Sequence, residues 1–155
     1  MRIALGNDHA GHPARIPVIR AIEALGHEVV DCGVKEATSV DYPMIAAQVA
    51  RLVTSEQADR GILICGTGIG MSIVANKFPG IRCACCTDEY SAQMSRSHNN
   101  SNILSLRARD IDYEQNEKIV RAWLVTEFEG GRHLRRVEQI SQLEEEIARE
   151  ICSKD

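Results

Sequence analysis

No apolar run in this chain of 155 residues approaches the roughly 20 residues that a membrane-spanning helix needs. Apart from Cys83 and Cys86, no pair among its six cysteines (Cys32, Cys65, Cys83, Cys85, Cys86, Cys152) has the C-x-x-C spacing of a zinc or dithiol site. The segment G-x-x-x-x-G-K-[ST] does not occur, which excludes a P-loop nucleotide site. An excess of positive charge is missing too: a net charge of −4 argues against nucleic acid or an anionic membrane as the main partner. Internal repeats, linkers and low-complexity tracts are absent, so residues 1–155 read as one domain. Met1-Arg2-Ile3-Ala4-Leu5-Gly6 turns polar too soon for a secretion signal, and a cytoplasmic location is expected. Cys83-Ala84-Cys85-Cys86 invites a metal reading. The preferred account is a buried strand using cysteine as a small apolar residue, with no metal and no disulfide.

What is present is an alternation of short apolar runs with helical stretches. Strands are expected over Arg2–Gly6, Glu28–Cys32, Gly61–Cys65, Ile81–Cys86 and Asn102–Leu106. Helices are expected up to about Leu25, from Asp41-Tyr42-Pro43 with Ile45, Val49, Leu52 and Val53 inward, from an Asp88 cap to about Ser97, and over Tyr113–Phe128. Strands separated by helices predict an α/β fold: a five-stranded parallel sheet in a Rossmann-like three-layer sandwich. Ligands in such sheets sit beyond the carboxyl ends of the strands. Asp8-His9, Cys65-Gly66-Thr67, Thr87-Asp88 and His98-Asn99-Asn100 are expected to cluster there.

The most informative stretch is Cys65-Gly66-Thr67-Gly68-Ile69-Gly70, where a buried strand stops at a thiol and enters a glycine turn before a helix. Its glycine spacing is wrong for G-x-G-x-x-G, so a dinucleotide site is not indicated. Free backbone N–H groups at a helix start favour negative charge. A thiol there is expected to be partly thiolate, with amides aimed at a developing oxyanion.

Gly130-Gly131-Arg132-His133-Leu134-Arg135-Arg136 is a basic cluster in an acidic chain. It reads either as a solvated face or as a phosphate site, since Arg132 and Arg136 are one helical turn apart and guanidinium forks suit a phosphate dianion. The last helix places Val137, Ile140, Leu143, Ile147 and Ile151 on one face. That stripe packs either on its own sheet or on a second copy, with Gly130-Gly131 able to let it swing away.

Asn7-Asp8-His9-Ala10-Gly11, Asp41-Tyr42-Pro43, the run from Gly61 to Ile73 with Ala75-Asn76-Lys77, Gly80-Ile81-Arg82, Ser91-Ala92, Arg96-x-His98-Asn99-Asn100 and Gly131-Arg132-His133 closely resemble ribose-5-phosphate isomerase type B. That family also includes galactose-6-phosphate and allose-6-phosphate isomerases. The resemblance implies aldose–ketose isomerisation through a cis-enediolate, with no cofactor and no metal. It also implies a homodimer or dimer of dimers whose site is shared between chains and whose carboxy-terminal helix is used in dimerisation. By resemblance Cys65 is the base, and Thr67 with the amides of Gly66, Gly68, Ile69 and Gly70 cradles the enediolate. His98 opens the sugar ring with Asn99 beside it, and Asp8 meets sugar hydroxyls. His9, Arg109, Arg132 and Arg136 bind phosphate, and Tyr42 walls the pocket. Family members that lack the cysteine use a glutamate at the position of Met71, so here Cys65 is the base available in the turn.

Two positions depart from the family. Arg107 stands where a small residue is usual, and Asn7 where serine or cysteine is common; both bear on the substrate. Ribose 5-phosphate is the expected substrate. A tetrose 4-phosphate or a hexose 6-phosphate is the same-class alternative, and a non-catalytic sugar-phosphate-binding module the different one. His12, His27 and His133 are expected to be structural.

Overall fold

The structure, a computed structural model, describes residues 1–36 and 38–153. In chain order the elements are β1 (Arg2–Asn7), α1 (His12–Glu23), β2 (Glu28–Asp31), α2 (Tyr42–Thr54), β3 (Arg60–Cys65) and α3 (Ile69–Ala75). These are followed by β4 (Cys83–Cys85), α4 (Glu89–Ser97), β5 (Ile103–Arg107), α5 (Tyr113–Val125) and α6 (Arg132–Cys152). All strands pair in parallel, in the order β2-β1-β3-β5-β4. The expected three-layer sandwich therefore forms, with boundaries within a few residues of those read from sequence.

Central strands are apolar on both faces because both faces are covered. Ile3, Leu5, Ile62, Ile64, Leu104 and Leu106 pack with α1, α4 and α5 around the fully buried Trp123. Ala4, Leu63, Cys65 and Ile103 face α2 and α3. The chain thus leaves β1 for a helix on one face and β3 for a helix on the other. Between those two exits, at the carboxyl ends, the layers part and leave a crevice.

The cysteine-rich strand corrects the sequence reading. Its four-residue run was expected to be buried throughout, but β4 is an edge strand, with Cys86 buried, Cys83 half-buried and Cys85 exposed. The reason is topological: the connection through α3 skips one strand position, and β5 returns to fill it between β3 and β4. Burial still pushes the Cys83 thiol up.

Gly131 takes φ 54° and ψ −128°, open to glycine at little cost, and the chain turns there into α6. Only His133 and Val137 of that helix are buried. Ile140, Leu143, Ile147 and Ile151 remain 41–62 % exposed. Glu144 accepts a hydrogen bond from the Gly80 N–H at 2.9 Å, so α6 is tethered to the body without burying its apolar stripe on it. No helix among the described residues is long and apolar enough to cross a membrane.

Candidate active site

The crevice between the β1 and β3 exits is a cavity of about 460 Å³. Asp8, His9, Tyr42, Cys65, Gly66, Thr67, Ile69, Gly70 and Arg109 all line it, although they come from four separate segments. Cys65 ends β3, and its Sγ accepts a hydrogen bond from the Gly68 N–H at 3.2 Å. That bond needs the turn to double back sharply, which Gly68 allows by taking φ +79°. The turn is held from below by Ser105, whose buried hydroxyl donates to the Gly68 carbonyl at 2.6 Å. The Thr67 hydroxyl oxygen accepts from the Ile69 N–H at 3.3 Å, which leaves its proton free to donate into the cavity.

The other walls are set by backbone contacts. The Ala108 and Arg109 N–H groups donate to the carbonyls of Cys65 and Gly66 at 2.9 and 3.1 Å, binding the exit of β5 to the turn. Arg109 then folds over Gly66, within 3.5 Å of where a Cβ would stand. Asp8 is buried, and one carboxylate oxygen accepts from the Gly11 N–H at 2.8 Å. His9 Nδ1 accepts from the Val40 N–H at 3.3 Å. In the neutral ring the proton is therefore on Nε2, which makes His9 a donor. Tyr42, the first residue of α2, lies against Gly70.

His98, Asn99, Arg132 and Arg136 are not in this cavity. The expectation of a single cluster at the strand carboxyl ends does not hold within one chain. The sequence reading treated residues that precede a strand as though they followed one: His98-Asn99-Asn100 lie before β5, hence at its amino end. β5 has five residues, and Cys65 is in register with its last, Arg107. The two groups are thus separated along the sheet by roughly 15 Å at about 3.3 Å per residue.

The second group is itself ordered. Arg82 Nε donates to the carbonyls of Asn99 and Asn100 at 3.1 and 3.0 Å. Arg96, 5 % exposed, donates from Nη1 to Asn100 Oδ1 at 2.9 Å and to the Ser101 carbonyl at 2.6 Å, and from Nε to the Thr126 carbonyl at 3.3 Å. Burial pushes Arg96 down to about 10. Asn100 sits at φ 49°, a left-handed conformation that these bonds hold in place. The His98 ring stacks on His133, with centroids 4.2 Å apart and planes 6° from parallel. The buried ring of His133 is compatible with the structural role expected of it, and no local pattern in the sequence pairs residues 98 and 133.

Of the two departures, Asn7 has a structural explanation: its buried amide donates to the carbonyls of Asp8 and Val34 at 3.1 Å, pinning the loop after β2 to the end of β1. Arg107 is half-buried and its nearest carboxylate, Asp110, is 3.9 Å away. It lines a second cavity of about 390 Å³ with Cys85 and Thr87, which shares Gly66, Thr67, Ile69 and Arg109 with the first.

Residues 3–140 match the family described as Ribose/Galactose Isomerase. The chain is 46 % identical over 144 residues to ribose-5-phosphate isomerase B of Escherichia coli K12, covering 93 % of this chain and 97 % of that protein. It is 41 % identical over 145 residues to D-erythrulose-4-phosphate isomerase of Pectobacterium atrosepticum, covering 93 % and 95 %. The solved structure of Clostridium thermocellum ribose-5-phosphate isomerase B superposes with a TM-score of 0.91 at 46 % identity, over 95 % of this chain and 99 % of that one.

Proposed function

The chain belongs to the ribose/galactose isomerase family, and we propose that it interconverts ribose 5-phosphate and ribulose 5-phosphate through a cis-enediolate in the crevice between β1 and β3. The observation that carries this reading is the turn after β3, where a thiol, a hydroxyl and a run of backbone amides face one cavity with Asp8, His9 and Arg109. Aldose–ketose isomerisation needs a base for the proton α to a carbonyl and donors for the oxyanion that forms.

Cys65 takes the C2 proton as thiolate, and the C1 oxygen gains the charge. The Thr67 hydroxyl and the amides of Gly66, Gly68, Ile69 and Gly70 stabilise that oxygen. The hydroxyl proton passes from O2 to O1, and the Cys65 thiol returns a proton to C1, which completes the ketose. Asp8 binds sugar hydroxyls, Tyr42 closes the wall, and His9 and Arg109 hold the phosphate.

The cyclic aldose must open first: the anomeric hydroxyl loses its proton, the C1–O4 bond breaks and O4 is protonated. His98 relays that proton, with Asn99 beside it. These two residues and the phosphate ligands Arg132 and Arg136 reach the crevice from a second copy of the chain. Two features support a homodimer with a shared site: the residues fall into two groups at opposite ends of the sheet, and α6 leaves five large apolar side chains uncovered.

The test is interconversion by the purified protein of ribose 5-phosphate, erythrose 4-phosphate, allose 6-phosphate and galactose 6-phosphate. Preference for ribose 5-phosphate is expected. Preference for the tetrose would point to Arg107 having shortened the pocket, a reading consistent with the likeness to the erythrulose-4-phosphate enzyme. Binding of phosphate esters without turnover would leave only the non-catalytic module.

A further inference from the structure

Among the described residues no hydrogen bond holds the His98 side chain; its backbone N–H donates to Met94 at 2.9 Å, and its ring is partnered by the stack alone. A general acid–base must present its nitrogen within about 2.6–3.2 Å of the proton it moves, in one ring plane. Free rotation about the two side-chain torsions would forfeit that placement.

His133 is built to remove the freedom. It is 5 % exposed, and its backbone N–H donates to the Gly130 carbonyl at 3.0 Å. The Glu129 N–H donates to the Ser97 carbonyl at 3.0 Å, which ties the connection between α5 and α6 to the residue before His98. At the ring itself, Arg132 Nε donates to His133 Nε2 at 3.4 Å. A guanidinium can only donate, so Nε2 carries its lone pair and the neutral ring has its proton on Nδ1.

The surroundings of the stack, burial first, favour the uncharged form of the second ring. Burial, then the neighbouring His98 and Arg132, and more weakly Arg136, lower the pKa of His133, while the Glu129 carboxylate, 3.6 Å from Nε2, opposes them. A neutral partner lets His98 gain a proton without facing a second cation across 4.2 Å.

A metal site is the rival use of the same groups, since His98, Glu129 and His133 offer ligand atoms within 4.8 Å of one another. An ion about 2.0–2.1 Å from each nitrogen needs lone pairs that converge. Imidazole lone pairs lie in the ring plane, and these planes are parallel within 6°, so the lone pairs cannot point at one ion.

We propose that His133 is a positioning residue for His98, a rigid flat surface that fixes the plane in which His98 presents its nitrogen to the ring oxygen of the incoming sugar. This rests on the reading of His98 as the group that opens the ring.

The experiment uses ribose 5-phosphate and its 4-deoxy analogue, which has no hydroxyl able to close a furanose ring and so needs no opening. Changing His133→Ala should lower kcat/KM for ribose 5-phosphate at least about 10-fold and leave the analogue within about twofold. His133→Phe, which keeps a flat ring, should restore most of the loss. Because the readout is a ratio of two substrates, a reduced folded fraction lowers both terms equally and drops out. Equal losses on both substrates, or no loss on ribose 5-phosphate, would overturn the proposal. His98→Ala serves as the control: if it too fails equally on both substrates, the ring-opening assignment of His98 is what fails.

Discussion

The ring of Tyr42 lies so close to Gly70 that no side chain fits between them: a Cβ on Gly70 would stand 2.7 Å from Tyr42 Cζ. Tyr42 is 38 % exposed, so the ring can swing outward where a buried one could not. Gly70→Ala should therefore fold with nearly unchanged stability and open the pocket wall. The expected result is a KM raised several-fold with a smaller change in kcat, read from steady-state kinetics beside a thermal melt. A collapse in stability would show that the ring is locked in place.

Removing the thiol at the end of β3 should leave the fold intact, because Cys65→Ala deletes one sulfur at a cavity wall. Turnover should fall at least about 100-fold, the scale of a missing acid–base group. Activity close to wild type would take the base away from Cys65.

A site shared between chains has an arithmetic signature. Cys65→Ala and His98→Ala homodimers should each be nearly inactive. Unfolded together in equal amounts and refolded, half of the dimers are mixed and one of the two sites in each is intact. About a quarter of wild-type activity should return. Recovery no greater than the sum of the separate variants would mean that both residues act within one chain.

The exposed stripe on α6 makes a separate prediction. Full burial of a Leu or Ile side chain stabilises by about 1.5–3 kcal/mol, so covering the stripe with a second copy, as proposed above, would stabilise the pair. The pair Leu143→Glu and Ile147→Glu, exposed by 55 % and 54 %, should yield a folded monomer that lacks activity. Light scattering and circular dichroism check the two halves of that statement, and an active monomer would contradict it.

Stability should also respond to acid through His133. Its pKa is lowered on folding, first by burial and then by His98 and Arg132, so the unfolded chain binds the proton more readily. The contribution is complete above the ordinary histidine value of about 6.5 and is lost as pH falls from there through the folded pKa. His27 is lowered in the same sense by burial and the amino terminus, so wild type alone does not isolate the term. Melting temperatures of wild type and His133→Phe should diverge less at pH 5.5 than at pH 7.5. A constant difference would mean that His133 does not titrate with unfolding in that range.

Local pattern carried much of this architecture. The runs at Ile3–Leu5 and Ile62–Ile64 are apolar at every position, and Ile103–Leu106 at all but the buried Ser105, a pattern that suits strands covered on both faces. Asp88 before α4 is an N-cap by composition and does accept from the Ser91 N–H at 2.7 Å. Cys65-Gly66-Thr67-Gly68 announces a turn that presents a thiol to amides, because the left-handed residue it needs is a glycine. What local pattern could not carry was strand order, since propensity and periodicity are blind to which strands become neighbours. That order puts β4 at an edge and exposes Cys85. The place of His98 at the amino end of β5, by contrast, follows from its preceding that strand in the sequence. The stack of His98 on His133 joins residues 35 positions apart, one just after α4 and the other at the start of α6, a contact that exists only once the chain has folded.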